Sequence, residues 1–233
     1  MPDNQLHNLT DALSDAVAPL KPLLRGWLHA GTFPVAVAAG VVLIVAAPSA
    51  TPRIAAVVFT IASSLLFGVS ALYHRGHWRP APAAVLRRMD HSNIFVMIAG
   101  TYTPFGVLLL TGADRVALLV AVWGGALLGV LFRVFWLTAP RWLYTPIYLA
   151  LGWAAVFWMP DFYRLGGAAV VILLAAGGLM YSAGAVVYAL KKPNPSPRWF
   201  GFHEMFHACT VAAFIAHYIA VSLITYNVTL PVS

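Results

Sequence analysis

Charge is what this sequence has least of. Only 9% of its 233 residues are Asp, Glu, Lys or Arg, where a soluble domain carries about a quarter. Hydrophobic residues make up 61%. Such a chain has too few polar side chains to cover a water-facing surface, which excludes a soluble globular protein. Cysteine is nearly absent. The single Cys209 excludes an intramolecular disulfide and any multi-cysteine metal site, and on an apolar helix it reads as a packed thiol. Acids number 7 against 14 bases, for a net charge of +7. Those bases do not form one stripe, so nucleic acid is not the expected partner. They fall between apolar runs, where anionic lipid headgroups are the matching surface. No basic start followed by an apolar core opens the chain, so no cleavable signal peptide is expected.

What is present is a series of long apolar runs. A helix needs about 20 apolar residues to cross the hydrocarbon. Seven stretches qualify, at 32–49, 54–75, 89–110, 115–137, 143–160, 167–190 and 202–226. The breaks between them carry Pro, Gly and charge, as in "APSATPR", "RGHWRPAPAAVLRR", "MPDFYRLGG" and "KKPNPSPRW". Pro146 and Gly152 make the fifth span the weakest. The expected fold is all-α: a polytopic membrane protein of seven transmembrane helices. Residues 1–30 form an N-terminal segment and 31–228 one membrane domain. An interfacial helix or a mobile tail is expected before Pro19, with Lys21, Arg25 and Trp27 at the headgroups.

Orientation follows from the bases. Taken on alternating sides, 11 of them share the side of the N-terminus and of the second, fourth and sixth loops, and 3 (Arg53, Arg115 and Arg164) lie opposite. The positive-inside rule then puts the N-terminus in the cytoplasm and the C-terminus outside. A G-protein-coupled receptor has the reverse orientation.

That topology brings polar residues from three spans to one depth. The second span ends "SALYHRGHW", which sets His74 near the cytoplasmic surface and Ser70 one turn deeper. The third begins "RRMDHSNIF", with Asp90 expected in its first turn. The seventh begins "GFHEMFHACTV", with His203 and His207 on one face. Polar groups at such depth are functional candidates because unpaired ones cost free energy. Two His at i and i+4 can share a metal. With His74 as third ligand, three imidazoles and a water match a catalytic zinc site with an open position. Asp90 is then suited to deprotonate the water, and Ser70 to donate to the water or to an oxyanion. The implied chemistry is hydrolysis of an ester or amide at the membrane surface.

Each residue also has a plainer reading. The histidines can face headgroups, Asp90 can cap its helix or pair with Arg87 or Arg88, and Ser70 can pack between helices. His77 and His91 read as surface or supporting residues. His217, about 15 Å of helix rise beyond His207, reads as a buried polar contact. His7 and His29 fall ahead of the first span and are assigned no role. The string HEMFH also satisfies H-E-x-x-H, so an intramembrane metalloprotease, with Asp90 in place of His74, stays conceivable. Glu204 could equally cap the helix or orient a ligand.

The strings "SALYHR", "RMDHSNIFVMIAGTYTPF" and "GFHEMFHACTVAAFIAHY", with "LKPLLRGWLHAGTFP" ahead of them, resemble the progestin and adipoQ receptor superfamily in its bacterial hemolysin III branch. The resemblance implies seven helices with an inside N-terminus, in the bacterial plasma membrane. It implies zinc held by His74, His203 and His207, with Asp90 on the zinc-bound water and Ser70 beside it. It implies ceramidase-type hydrolysis or a part in membrane-lipid homeostasis, with a membrane lipid as substrate. A non-enzymatic membrane sensor with a structural zinc is the second reading. A pore-forming hemolysin is the third, and the sequence shows no amphipathic design for it.

Overall fold

The computed structural model describes residues 22–227, so the expected interfacial helix, Lys21 and His7 lie outside the described residues. Helices account for nearly all of the described chain. They are α1 (Trp27–Ala46), α2 (Ala50–Arg75), α3 (Pro80–Leu109), α4 (Gly112–Phe135), α5 (Arg141–Gly152), α6 (Met159–Gly166), α7 (Ala168–Leu190) and α8 (Phe202–Tyr226). A 3-10 turn, Ala154–Trp158, joins α5 to α6. Counting Arg141–Gly166 as one broken span, seven helical segments are long and apolar enough to cross a membrane.

Three boundaries differ from the sequence reading, each for a physical reason. The first span opens at Trp27 rather than residue 32, which brings His29 into the membrane bundle. The third opens at Pro80 rather than 89. Pro80 and Pro82 fall in the first turn, where an N–H has no intrahelical acceptor and its loss is harmless. Asp90 therefore stands well inside α3, and no acid occupies the first turn. The reading of Asp90 as a helix-start residue is corrected. The segment "MPDFYRLGG", expected to be a break, is mostly helical. Pro160 starts α6, Asp161 pairs with Arg164 at 2.8 Å, and Gly167 ends it at φ +85°, a conformation that favours glycine.

Successive helices pack side by side, and α8 closes the bundle against α1, α2 and α3 as well as α7. The three helices that carry the candidate residues are also the most enclosed. In their most apolar stretches 50% of α2, 67% of α3 and 44% of α8 is buried, against 17–28% for the other spans. Phe59 and Phe67 of α2 pack against Phe214 of α8, while Phe95 and Phe105 of α3 pack outward against Tyr148 and Phe162. Close approach comes from small residues, as membrane helices require. Gly100 faces Ala62, and Gly129 faces the Phe95 ring. The outer helices turn Val35, Val45, Leu128 and Phe157 outward, an apolar girdle suited to lipid.

Candidate metal centre

His74 lies in the last turn of α2, one turn beyond Ser70, and both side chains are buried. His203 and His207 stand in the first two turns of α8, with His207 buried. The bundle brings these histidines together across 129 residues of sequence. His74, His203 and His207 each offer a ring nitrogen, all within 4.8 Å of one another. The Nε2 atoms of His74 and His203 are 3.2 Å apart. A tetrahedral zinc with Zn–N bonds of about 2.0–2.1 Å sets its ligand nitrogens roughly 3.3–3.4 Å apart. The pair thus already has the spacing of one tetrahedral edge, and three imidazoles are a donor set that suits zinc. The residues present fit the ion.

Asp90 approaches from α3. Its Oδ2 is 3.7 Å from His74 Nε2, and both side chains are almost enclosed. Ser70, one turn before His74, lines the same cavity as that carboxylate. Among the described residues the ion contact of Asp90 is this one, and not Arg87 or Arg88. Arg88 instead donates to the Val134 carbonyl at 3.1 Å. The five residues singled out from the sequence therefore form one group.

Glu204 does not join it. Its Oε2 accepts from the Gly201 N–H at 2.8 Å, the carboxylate half of a capping box. Its Oε1 accepts from Arg25 Nε, a pair in which Glu204 is 1% exposed. Both oxygens face the start of α8 and the N-terminal segment. That segment is further tied down by Leu23 and Leu24, whose N–H groups donate to the Arg198 and Trp199 carbonyls. A general base needs reach to the reacting water, and this carboxylate is committed elsewhere. The protease reading of HEMFH loses its base. Arg25, expected at the headgroups, is the ionic partner of a buried acid.

His29 is the residue that sequence reading missed. Its ring stacks on His207 with centroids 3.8 Å apart and planes 9° apart, and Phe67 meets it edge-on at 5.1 Å. Neither ring nitrogen has a hydrogen-bond partner among the described residues. The only signal available was its place in "RGWLHAG", two residues past Trp27. Opening the first span at that Trp would have found it. His91 is not at the surface either: its Nδ1 lies 2.6 Å from Arg133 Nη2, and its carbonyl accepts from Tyr148. His77 is exposed, as expected.

The centre opens on a cavity of about 120 Å³ inside the bundle. Ser70, Asp90, His203 and His207 line one part of it, and Leu66, Ile94, Met97, Ile98 and Leu149 line much of the rest. A polar, metal-competent cluster thus stands beside an apolar chamber.

Comparisons with known proteins give the family of the chain. Residues 17–218 match the model of the family described as haemolysin-III related. The chain is 36% identical over 146 residues to the hemolysin-3 homolog of Bacillus subtilis (strain 168), covering 62% of this chain and 68% of that one. It is 32% identical over 144 residues to hemolysin-3 of Bacillus cereus, covering 62% and 65%. It is 29% identical over 195 residues to the heptahelical transmembrane protein ADIPOR2 of Oryza sativa subsp. japonica, covering 74% and 82%. That last likeness agrees with the resemblance to the progestin and adipoQ receptor superfamily. The family model matched over residues 17–218 makes this seven-span chain a member of the haemolysin-III related family.

Proposed function

We propose that this protein is a zinc-dependent membrane hydrolase of a lipid amide or ester. His74, His203 and His207 hold the ion. The observation that carries the reading is the placement of Asp90, 3.7 Å from His74 Nε2 and on the wall of the same apolar cavity as Ser70, His203 and His207. When bound at three imidazoles, zinc supplies Lewis-acid polarisation of a carbonyl and a water that ionises near neutral pH. The chain's own residues do the rest. Asp90 holds the water and takes its proton, then returns it to the leaving amine or alcohol. Ser70 donates to the Asp90 carboxylate or to the oxygen that gains charge. The cavity seats the apolar part of the substrate and keeps bulk water from it. By the distribution of bases the cluster faces the cytoplasm of a bacterial inner membrane, with anionic headgroups beside it.

The test is turnover of a panel of lipid amides and esters by purified protein in lipid nanodiscs. Asp90→Asn should lower turnover by roughly 10²–10⁴-fold while zinc content stays at the wild-type level. Equal turnover in the variant and the wild type would end the hydrolase reading.

One observation favours a second reading. The cluster joins α2 to α8, so an ion there would cross-link distant parts of the chain and could serve a non-enzymatic sensor as a structural element. In a strain lacking the gene, that reading expects Asp90→Asn to complement and a His203→Ala/His207→Ala double variant to fail. The hydrolase reading expects both to fail.

A further inference from the structure

Four residues that line the same cavity, His29, Thr145, Tyr181 and His217, carry buried polar atoms with no hydrogen-bond partner among the described residues, and Tyr181 and His217 are in ring contact with each other. His217 is buried on α8, and its Nε2 is 3.2 Å from the Leu174 carbonyl. A carbonyl only accepts, so Nε2 carries the proton and Nδ1 presents a lone pair. That Nδ1 is buried without a hydrogen-bond partner. The Tyr181 hydroxyl, from α7, is also buried without one, and its ring is 5.6 Å from the imidazole. Both residues line the cavity. The imidazole is seated by Gly177, where a Cβ would overlap Nε2. Neighbouring side chains that bear an acceptor and a hydroxyl thus stand on the wall of a chamber otherwise mostly apolar. Leaving them unmet inside a membrane costs free energy.

We infer that His217 and Tyr181 read a hydroxyl group on the chain of a lipid bound in the cavity; this rests on the lipid reading above. The hydroxyl donates to His217 Nδ1 and accepts from Tyr181. A ketone at the same place answers only Tyr181, and a methylene answers neither. Position follows from the helix. His217 is ten residues past His207, about 15 Å of rise. An extended chain advances about 1.2 Å per bond, taking three bonds per residue, so the hydroxyl lies roughly 12 bonds from the group held at the histidines.

The experiment measures displacement of a fluorescent fatty acid from the detergent-purified full chain by stearate, 12-oxostearate and 12-hydroxystearate. The expected order is hydroxyl over ketone over methylene, with the hydroxyl form about tenfold tighter than stearate. Tyr181→Phe, which removes one oxygen and little else, and His217→Phe should each erase most of that preference. In both, stearate affinity should stay within about threefold of wild type. Equal affinity for stearate and 12-hydroxystearate in the wild type overturns the inference and leaves the lipid reading standing, with water as the occupant of the pair. A preference that survives Tyr181→Phe overturns it as well. If no fatty acid binds, the lipid reading fails and the inference with it.

Discussion

The Arg25–Glu204 pair shows how one contact near the site sets the requirements on its neighbours. Glu204 is almost wholly buried and depends on Arg25 and the Gly201 N–H for compensation. Arg25→Met leaves that carboxylate without its cation, a change that costs about 3 kcal/mol or more in buried pairs. A clear fall in thermal unfolding temperature in detergent is expected, with Glu204→Gln milder because the amide can still accept from Gly201. An unchanged unfolding temperature in Arg25→Met would mean the pair does not hold α8 to the N-terminal segment. His29 acts on the site through its ring face. Its stack on His207 predicts that His29→Phe keeps zinc and that His29→Ala lowers zinc affinity, read by titration with a competing chelator. Equal affinity in both variants would reduce the stack to simple packing. At this scale the sequence was legible where spacing carried the information. Ser70 and His74 share a face at i and i+4, as do His203 and His207. The partners of Arg25 and His29 were not legible, because 179 residues separate Arg25 from Glu204 and a similar distance separates His29 from His207.

Helices as elements were legible because twenty apolar residues in a row leave the backbone in lipid only one way to satisfy itself. Their ends were not, because Pro-rich segments such as "RGHWRPAPAAVLRR" and "MPDFYRLGG" look like breaks. Pro80 and Pro160 fall in the first turns of helices instead, while Pro34, Pro104 and Pro146 sit inside helices, as the spans 32–49, 89–110 and 143–160 already imply. Within a packed bundle, neighbouring helices and local adjustment absorb the lost N–H. The contact between α3 and α4 has a sharper requirement. Gly129 faces the Phe95 ring so closely that any Cβ would overlap it. Phe95 is wholly buried and in contact with Tyr148, so the ring has little room to yield. Gly129→Val is expected to destabilise the protein by about 1–3 kcal/mol, read as a lower unfolding temperature. Gly124, with open space where a Cβ would go, is the matched control. Gly124→Ala should be close to neutral, and equal effects at the two positions would contradict this packing.

The molecule as a whole is a ring of spans closed by α8, and its histidine cluster gains meaning from the side of the membrane it faces. The distribution of 11 bases against 3 predicts a cytoplasmic cluster. In a Cys209→Ala background, Ala113→Cys should react with an impermeant thiol reagent added to intact cells. Pro197→Cys should react only after the membrane is opened. The reverse pattern would turn the site outward and remove the argument for a cytoplasmic hydrolase. Convergence of Ser70, His74, Asp90, His203 and His207 could be anticipated from topology, since alternate crossings bring helix ends to one depth. The cavity beside them could not, since its shape depends on how residues from α1, α2, α3, α5, α7 and α8 face one another. The most direct measurement is the metal content of detergent-purified protein, wild type beside the His203→Ala/His207→Ala double variant. Wild type should hold close to one zinc per chain, and a folded double variant should hold none. A folded wild type that binds no zinc when supplied with it would show that the three histidines are not a zinc site.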